Sequence, residues 1–374
     1  MSTFLDWLAE RAADRDRQGL RREVRPFKSG ELVDLAGNDY LGLRRHPAVI
    51  AGAVAAAETY GGGAGASRLV TGTLELHEEL EHALARLTGA PSALVLSTGY
   101  HANLAVLTSL ADAETLIVSD AHAHASLIDG ARLSRAAVAV SRHNDLDHVR
   151  ELLAGRTQPR AVVVVESVYS VLGDAAPLGA LADLSQELGA VLVVDDAHGL
   201  GVVGERGEGG AAQAGIIARD HVVVTVTLSK SLAAQGGAVL AHAAVRDHLV
   251  NTGRPFIYDT GLAPAAAGAA LGALDVLATD AHLPAAVRAN AALLADACGV
   301  DTPAGAVLSV TMPGPAEALA AVAVAEERGI RIGCFRPPST PDGSSRLRLT
   351  AHADHGPEVL DHALDVLRGL VTRA

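Results

Sequence analysis

Cysteine is nearly absent from this chain. Two thiols, Cys298 and Cys334, in 374 residues cannot build a disulfide framework. Neither sits in a CxxC spacing, so the chain reads as one from a reducing compartment, and a cytoplasmic location is expected. Metal-ligand spacing is missing as well. Sixteen histidines are scattered along the chain, and His122 and His124 lack the HExxH pattern, so no metal is expected. Basic residues are outnumbered. Thirty Lys+Arg against forty-three Asp+Glu leave a formal charge of −13, which argues against nucleic acid and against an anionic membrane surface as partners. Long apolar runs are also lacking. The uncharged stretch from Thr260 to Leu274 stays under the ~18 residues that a membrane helix needs; its Ala and Gly content reads as a buried helix. The first twenty-two residues mix acids with bases and show no signal-peptide core. Phe4, Leu5 and Leu8 among those charges predict an amphipathic N-terminal helix or arm.

What is present is the composition of a soluble globular chain, with 49% hydrophobic and 20% charged residues, enough to exclude disorder as the main state. The length predicts two domains. From about residue 48, helical patterns alternate with short apolar runs: ALVLS (93–97), TLIVS (115–119), AVAVS (137–141), AVVVVE (161–166), VLVVDD (191–196), HVVVTVTLS (221–229) and AVLAH (238–242). Strands that are apolar on both faces belong in a mostly parallel sheet covered by helices, which predicts an α/β doubly wound fold. A long Ala/Leu helix follows residue 265, then strand candidates at 306–310, 330–335 and 345–350 and a closing helix. The expected organisation is an N-terminal helical segment (1–45), a large α/β domain (46–265) and a smaller C-terminal α+β domain (266–374).

Open α/β sheets bind ligands outside the carboxyl ends of their strands. Here those ends read STGYHAN, SDAHAHAS, ESVYS, DDAHG and TLSKS. Lys230 follows a buried strand, where desolvation lowers an amine's pKa and suits it to Schiff-base chemistry; an ordinary strand-end lysine reaching solvent is the alternative. Only one of Asp195 and Asp196 can face a given ligand, because successive strand side chains point opposite ways. A carboxylate there suits a protonated ring nitrogen, or else caps a helix. His198 and His124 lie near the same place, as flat rings able to stack or as ordinary loop histidines. Gly99 opens a helix whose free N–H groups attract phosphate, although any strand–helix turn looks similar. Two glycine patterns fail as dinucleotide fingerprints: GLGVVG (199–204) has DDAH before it and ERGEGG after it, and GGGAGA (61–66) follows a helix-like segment. A P-loop pattern is absent. Taken in order, the glycine turn, the histidine, the Asp-x-x-His and the lysine about 35 residues later supply a phosphate cup, a ring stack, a pyridinium partner and a Schiff base.

At these residues the chain resembles the α-oxoamine synthases, a family of fold-type I pyridoxal-phosphate enzymes. The similar segments are NDYLGL (38–43), GASRLVTG (65–72), AHAS (123–126), DDAHGLGVVGERG (195–207), TLSK (227–230) and RPPSTPDGSSRLRLT (336–350), so the likeness spans almost the whole chain. It implies pyridoxal 5'-phosphate as cofactor and a C-acyltransferase reaction. Lys230 would hold the cofactor, Asp195 its ring nitrogen and His198 its phenolic oxygen, with His124 stacked on the ring. The backbone of Gly99 and Tyr100 and the hydroxyl of Thr227 would hold its phosphate, with Ser170 and Thr260 as further cofactor contacts. Glu166 shares the ESVYS segment with Ser170. Arg336 would bind the amino-acid carboxylate, Asn38 would lie near the substrate, and Arg21 would serve acyl-chain binding.

The resemblance is strongest to the biotin-pathway branch, which implies L-alanine and pimeloyl-CoA or a pimeloyl-acyl carrier protein as substrates. It also implies a homodimer. The basic arm at Arg21, Arg22 and Arg25 would suit either an acidic carrier or a phosphoadenosine. Two departures stand out: Asp259 replaces a usual serine in the Tyr258–Thr260 segment, and Leu172 replaces a usual acid. Sister enzymes such as glycine C-acetyltransferase share every cofactor residue, so pocket shape alone separates them. A cofactor-free scaffold subunit would be expected to lack Lys230, and a nicotinamide oxidoreductase fails on the glycine patterns.

Overall fold

The described strands are β1 (Val33–Leu35), β2 (Ser92–Leu96), β3 (Thr115–Asp120), β4 (Ala137–Ser141), β5 (Arg160–Glu166), β6 (Val191–Asp195), β7 (Val222–Thr227), β8 (Gly237–Ala241), β9 (Val307–Met312), β10 (Ile330–Phe335) and β11 (Ser345–Thr350). They come from a computed structural model that describes residues 3–22, 24, 26, 30, 32–337, 339–340 and 342–371. Strands β2–β8 form one sheet in the order β2-β8-β7-β6-β5-β3-β4. All its pairings are parallel except those of β8, which runs antiparallel to both β7 and β2. The valine runs explain this sheet. Val163 and Val165 of β5 enter one apolar layer, while Val162 and Val164 enter the other. Each such side chain gains about 1.5–3 kcal/mol on full burial.

One apolar run departs from its expected burial. In β4, Val138 and Val140 are 46% and 60% exposed. The strand lies at the sheet edge, where pairing with β3 leaves its other side open.

The small sheet has the order β1-β10-β11-β9. Its edge strand β1 pairs in parallel with β10, so the segment before residue 45 supplies a strand to the C-terminal sheet, with Leu35 fully buried. No apolar run long enough to announce that three-residue strand exists in the sequence. The helices Pro47–Tyr60 and Pro264–Thr279 join segments remote from each other in the chain. They meet at backbone distance: a Cβ on Gly52 would stand 2.3 Å from the Gly268 carbonyl oxygen, and one on Gly268 would stand 2.3 Å from that of Gly52.

The N-terminal helix, Phe4–Arg17, starts at a Thr3/Asp6 capping box and buries no residue. Phe4 and Leu5 are 71% and 72% exposed. Arg68 of the GASRLVTG segment is structural. Its guanidinium and the Glu81 carboxylate pair at 3.0 Å, both about 6% exposed. Arg68 also donates to the Val95 carbonyl, and Glu81 accepts from the Val95 N–H. Among the described residues no helix is long and apolar enough to cross a membrane.

Candidate active site

Two adjoining cavities open at the carboxyl ends of the large sheet. The first, about 240 Å³, is lined by Gly99, Tyr100, His124, Glu166, Asp195, His198, Thr227 and Lys230, among others. The second, about 530 Å³, is lined by Asn38, His122, Ile128, Ser170, Val171, Phe335 and Arg348, and it shares His124, His198 and Lys230 with the first. The strand ends thus converge as their sequence order predicts.

Lys230 lies just past β7. Burial lowers its pKa, against the opposing pull of the Asp195 and Glu166 charges, so the amine loses its proton more readily than an exposed lysine does. The two aspartates at the end of β6 diverge as strand alternation demands. Asp195 faces the first cavity, where Asn103 Nδ2 donates to it at 2.7 Å and the Ala197 N–H at 3.0 Å. Asp196 turns away. It accepts from the Ser167 hydroxyl and from the Gly210 N–H, and burial pushes its pKa up to about 6.

His198 is buried, and its Nδ1 lies 2.7 Å from the Tyr40 hydroxyl. Burial, with the Lys230 and Arg348 charges beside it, holds the ring well below the usual imidazole range, so it is neutral. His124 caps the helix Ala125–Ser134. Its Nδ1 faces the Ser126 hydroxyl at 2.7 Å, and desolvation lowers its pKa. Glu166 is 1% exposed. Burial first, and the Asp195 charge second, raise its pKa well above the carboxylate range. The Ser170 N–H donates to one of its oxygens, and the other is buried without a partner.

Gly99 starts the helix Gly99–Leu110 behind the Thr98 cap. A Cβ there would lie 2.9 Å from Thr227 Cβ, and one on Gly237 would lie 2.4 Å from the Gly99 nitrogen. Only glycine lets β7, β8 and this helix start draw together. The result sets N–H groups that lack intrahelical partners beside the Thr227 hydroxyl, an anion cup.

The remaining predicted residues are spread more widely. Asn38 and Ser170 line the second cavity. Arg336 lies in a separate recess of about 260 Å³ with Leu20 and Arg22, and it donates to the Gly19 carbonyl. Arg21 pairs loosely with Asp16 at 3.6 Å, while Arg22 donates to Ser339; Arg25 is outside the described residues. Thr260 is exposed and lines neither cavity of its own chain. Asp259 accepts from the Ser97 hydroxyl and sits 3.3 Å from His101 Nδ1.

The guanidinium that does reach the shared site is that of Arg348. It is 4% exposed, donates to the Ser170 carbonyl at 2.7 Å and to Asn38 Oδ1 at 3.2 Å, and lies over the Phe335 ring. The alternation in SRLRLT carried that signal: Leu347 and Leu349 enter the core, so Arg346 and Arg348, which alternate with them, must face the other way. Asn103 was legible too, one helical turn after Gly99.

The residues present fit a phosphorylated pyridine aldehyde. The anion cup, the buried carboxylate, the depressed lysine and the flanking imidazole meet in one cavity. The fold and this site define a fold-type I pyridoxal-phosphate enzyme. The chain belongs to the class I and II aminotransferase family, whose model matches residues 30–367. Within that family it is 52% identical to the 8-amino-7-oxononanoate synthase of Mycolicibacterium gilvum, over 99% of this chain and 98% of the relative. It is 53% identical to the enzyme of the same name from Mycolicibacterium smegmatis, over 99% and 97%. Among solved structures, a serine palmitoyltransferase from S. paucimobilis matches with a TM-score of 0.92 at 28% identity, covering 100% of this chain and 99% of that one. The 8-amino-7-oxononanoate synthase of Francisella tularensis matches at 0.78 and 25%, covering 91% and 98%.

Proposed function

We propose that the chain makes 8-amino-7-oxononanoate for biotin synthesis, condensing L-alanine with a pimeloyl thioester and releasing carbon dioxide and a free thiol. The observation that carries this reading is the meeting of Lys230, Asp195, His198 and His124 at one cavity, in a chain half identical throughout to enzymes of that name.

The cofactor is pyridoxal 5'-phosphate, and when bound it supplies the electron sink for a carbanion at the alanine Cα. Every other part falls to the protein. The Gly99 and Tyr100 N–H groups and the Thr227 hydroxyl hold the phosphate. Asp195, oriented by Asn103 and the Ala197 N–H, would hold a proton on the ring nitrogen. His198, fixed by Tyr40, would donate toward the phenolic oxygen, and His124 would cover the ring face. The Lys230 amine, which burial makes readier to lose its proton, takes the Cα proton. Arg348, rather than Arg336, binds the alanine carboxylate; its planar fork suits that ligand. Arg336, Arg21 and Arg22 stand farther out, near the recess where the acyl carrier, coenzyme A or a carrier protein, would approach.

A homodimer fits the exposed Leu69, Val70, Leu133 and Tyr258 and would bring Thr260 to a second site. Two free cysteines fit a reducing cytoplasm.

The test supplies the cofactor-loaded protein with pimeloyl-CoA and, separately, L-alanine, glycine or L-serine, and follows thiol release. Turnover with alanine is expected. Turnover only with glycine and a short acyl-CoA would instead assign a sister reaction such as glycine C-acetyl transfer. One methyl in an apolar pocket is worth only about 1–3 kcal/mol, so partial glycine activity is also expected.

A further inference from the structure

The loop after β11 carries His352, Asp354 and His355. Each offers a ligand atom, and these atoms lie within 4.8 Å of one another. The loop borders an open groove of about 560 Å³, which Asp34 and Asp39 also line.

Four features give this cluster the marks of a built site. The two imidazole rings lie parallel, 9° apart in plane, with centroids 4.8 Å apart. His352 Nε2 is engaged by the Gly37 carbonyl at 3.2 Å, which leaves Nδ1 as its free donor, and such a carbonyl contact is the usual companion of a ligating histidine. His355 Nδ1 is buried without a hydrogen-bond partner, a loss that calls for an explanation. Asn290 donates to the carbonyls of both His352 and His355, so the backbone that presents the two rings is clamped from the helix Leu283–Cys298.

We propose that His352, Asp354 and His355 bind a divalent transition ion of the zinc type, with Asp34 or water completing the shell. Two imidazoles and one carboxylate select such an ion over magnesium or calcium, which prefer all-oxygen shells. Tetrahedral coordination at 2.0–2.1 Å places ligand atoms roughly 3.4 Å apart, so the set must contract by up to about 1.5 Å. Asp354 is the exposed member and is free to make that adjustment.

The site also has a connection to the reaction cleft. The Ala353 N–H donates to the Tyr40 carbonyl at 2.7 Å, and Tyr40 holds His198. An ion at this loop braces the strap from Asp34 to Leu43 that carries Asn38 and Tyr40.

The experiment uses tag-free, cofactor-loaded full-length protein, stripped with EDTA and free of amino acids. It is titrated with zinc chloride in competition with a chromophoric chelator, and its thermal midpoint is followed in parallel. One zinc per chain and a rise in midpoint are expected. His355→Ala and Asp354→Asn should each weaken zinc at least about tenfold, while His282→Ala, at an exposed histidine elsewhere, should not. Should His355→Ala fail to fold, the exposed Asp354→Asn decides. Failure to retain zinc against the chelator, zinc that both variants keep unchanged, or tighter binding of magnesium than of zinc would each overturn the proposal.

Discussion

Replacing Arg348 with methionine separates its role from that of Arg336. The Arg348 guanidinium has five N–H donors. The Ser170 carbonyl and Asn38 Oδ1 engage two of them, and the residue lines the second cavity together with Lys230 and His198. An incoming alanine carboxylate would form a charge-assisted pair in a desolvated place. Truncating one partner of such a pair costs about 2–5 kcal/mol, which corresponds to a loss in kcat/KM of roughly 30-fold to several thousand-fold. The assay is thiol release with alanine varied at saturating pimeloyl thioester, then the reverse. Arg348→Met should raise the alanine requirement and leave the KM for the thioester within about threefold, with Arg348→Lys in between, because an ammonium keeps the charge and loses the fork. Arg336→Met should act on the thioester side. A merely structural loss would lower the thermal midpoint and weaken both substrates alike. If Arg336→Met abolishes alanine use while Arg348→Met does not, the assignment is wrong.

Three further outcomes are expected. Glu81→Ala strands the buried Arg68 charge and should cost about 3–5 kcal/mol of stability, read from denaturant unfolding; Glu81→Gln should cost less. His143 lies 2.8 Å from Asp120 and 2.7 Å from Asp174. Burial opposes its charge, yet these bonds push its pKa up to about 9. Its folded pKa exceeds the unfolded value, so its contribution is complete below about pH 6.5 and fades as pH rises through 9. The loss is at most about 3 kcal/mol and smaller to the extent that solvent screens the half-exposed Asp174. Stability measured across that range should flatten in His143→Gln. Finally, Gly99→Ala forces a Cβ against Thr227 and should weaken cofactor binding by about tenfold or more, measured by equilibrium dialysis, with the fold intact by circular dichroism.

The large sheet was legible because valine-rich runs leave few alternatives, and the strand-end residues followed from the topology. Lys230, Asp195, His198 and His124 meet where their order places them. What stayed hidden depends on contacts remote in sequence. The strand at Val33–Leu35 forms because β10 offers it an edge, and nothing local specifies it. Val138 and Val140 read as core because period and composition do not tell an edge strand from a central one. Arg336 and Arg348 stand twelve residues apart in one motif, and only the turn between β10 and β11 sends one to the recess and the other to the cleft. The loop at His352–His355 has no recognisable ligand spacing; Asn290, sixty residues upstream, gives it shape.

Three side chains, His124, His198 and Lys230, form the whole shared border of the two cavities. Beyond that border the second chamber has an apolar wall of Ile128, Val171 and Phe335, none of which lines the first, beside the polar Asn38, Ser170 and Arg348. Selection can therefore reshape the apolar wall at Ile128, Val171 and Phe335 by ordinary side-chain exchange, while Arg348, Asn38 and the three shared side chains stay as they are. A lineage built this way changes its product by redecorating one room, and the chemistry next door does not have to be reinvented.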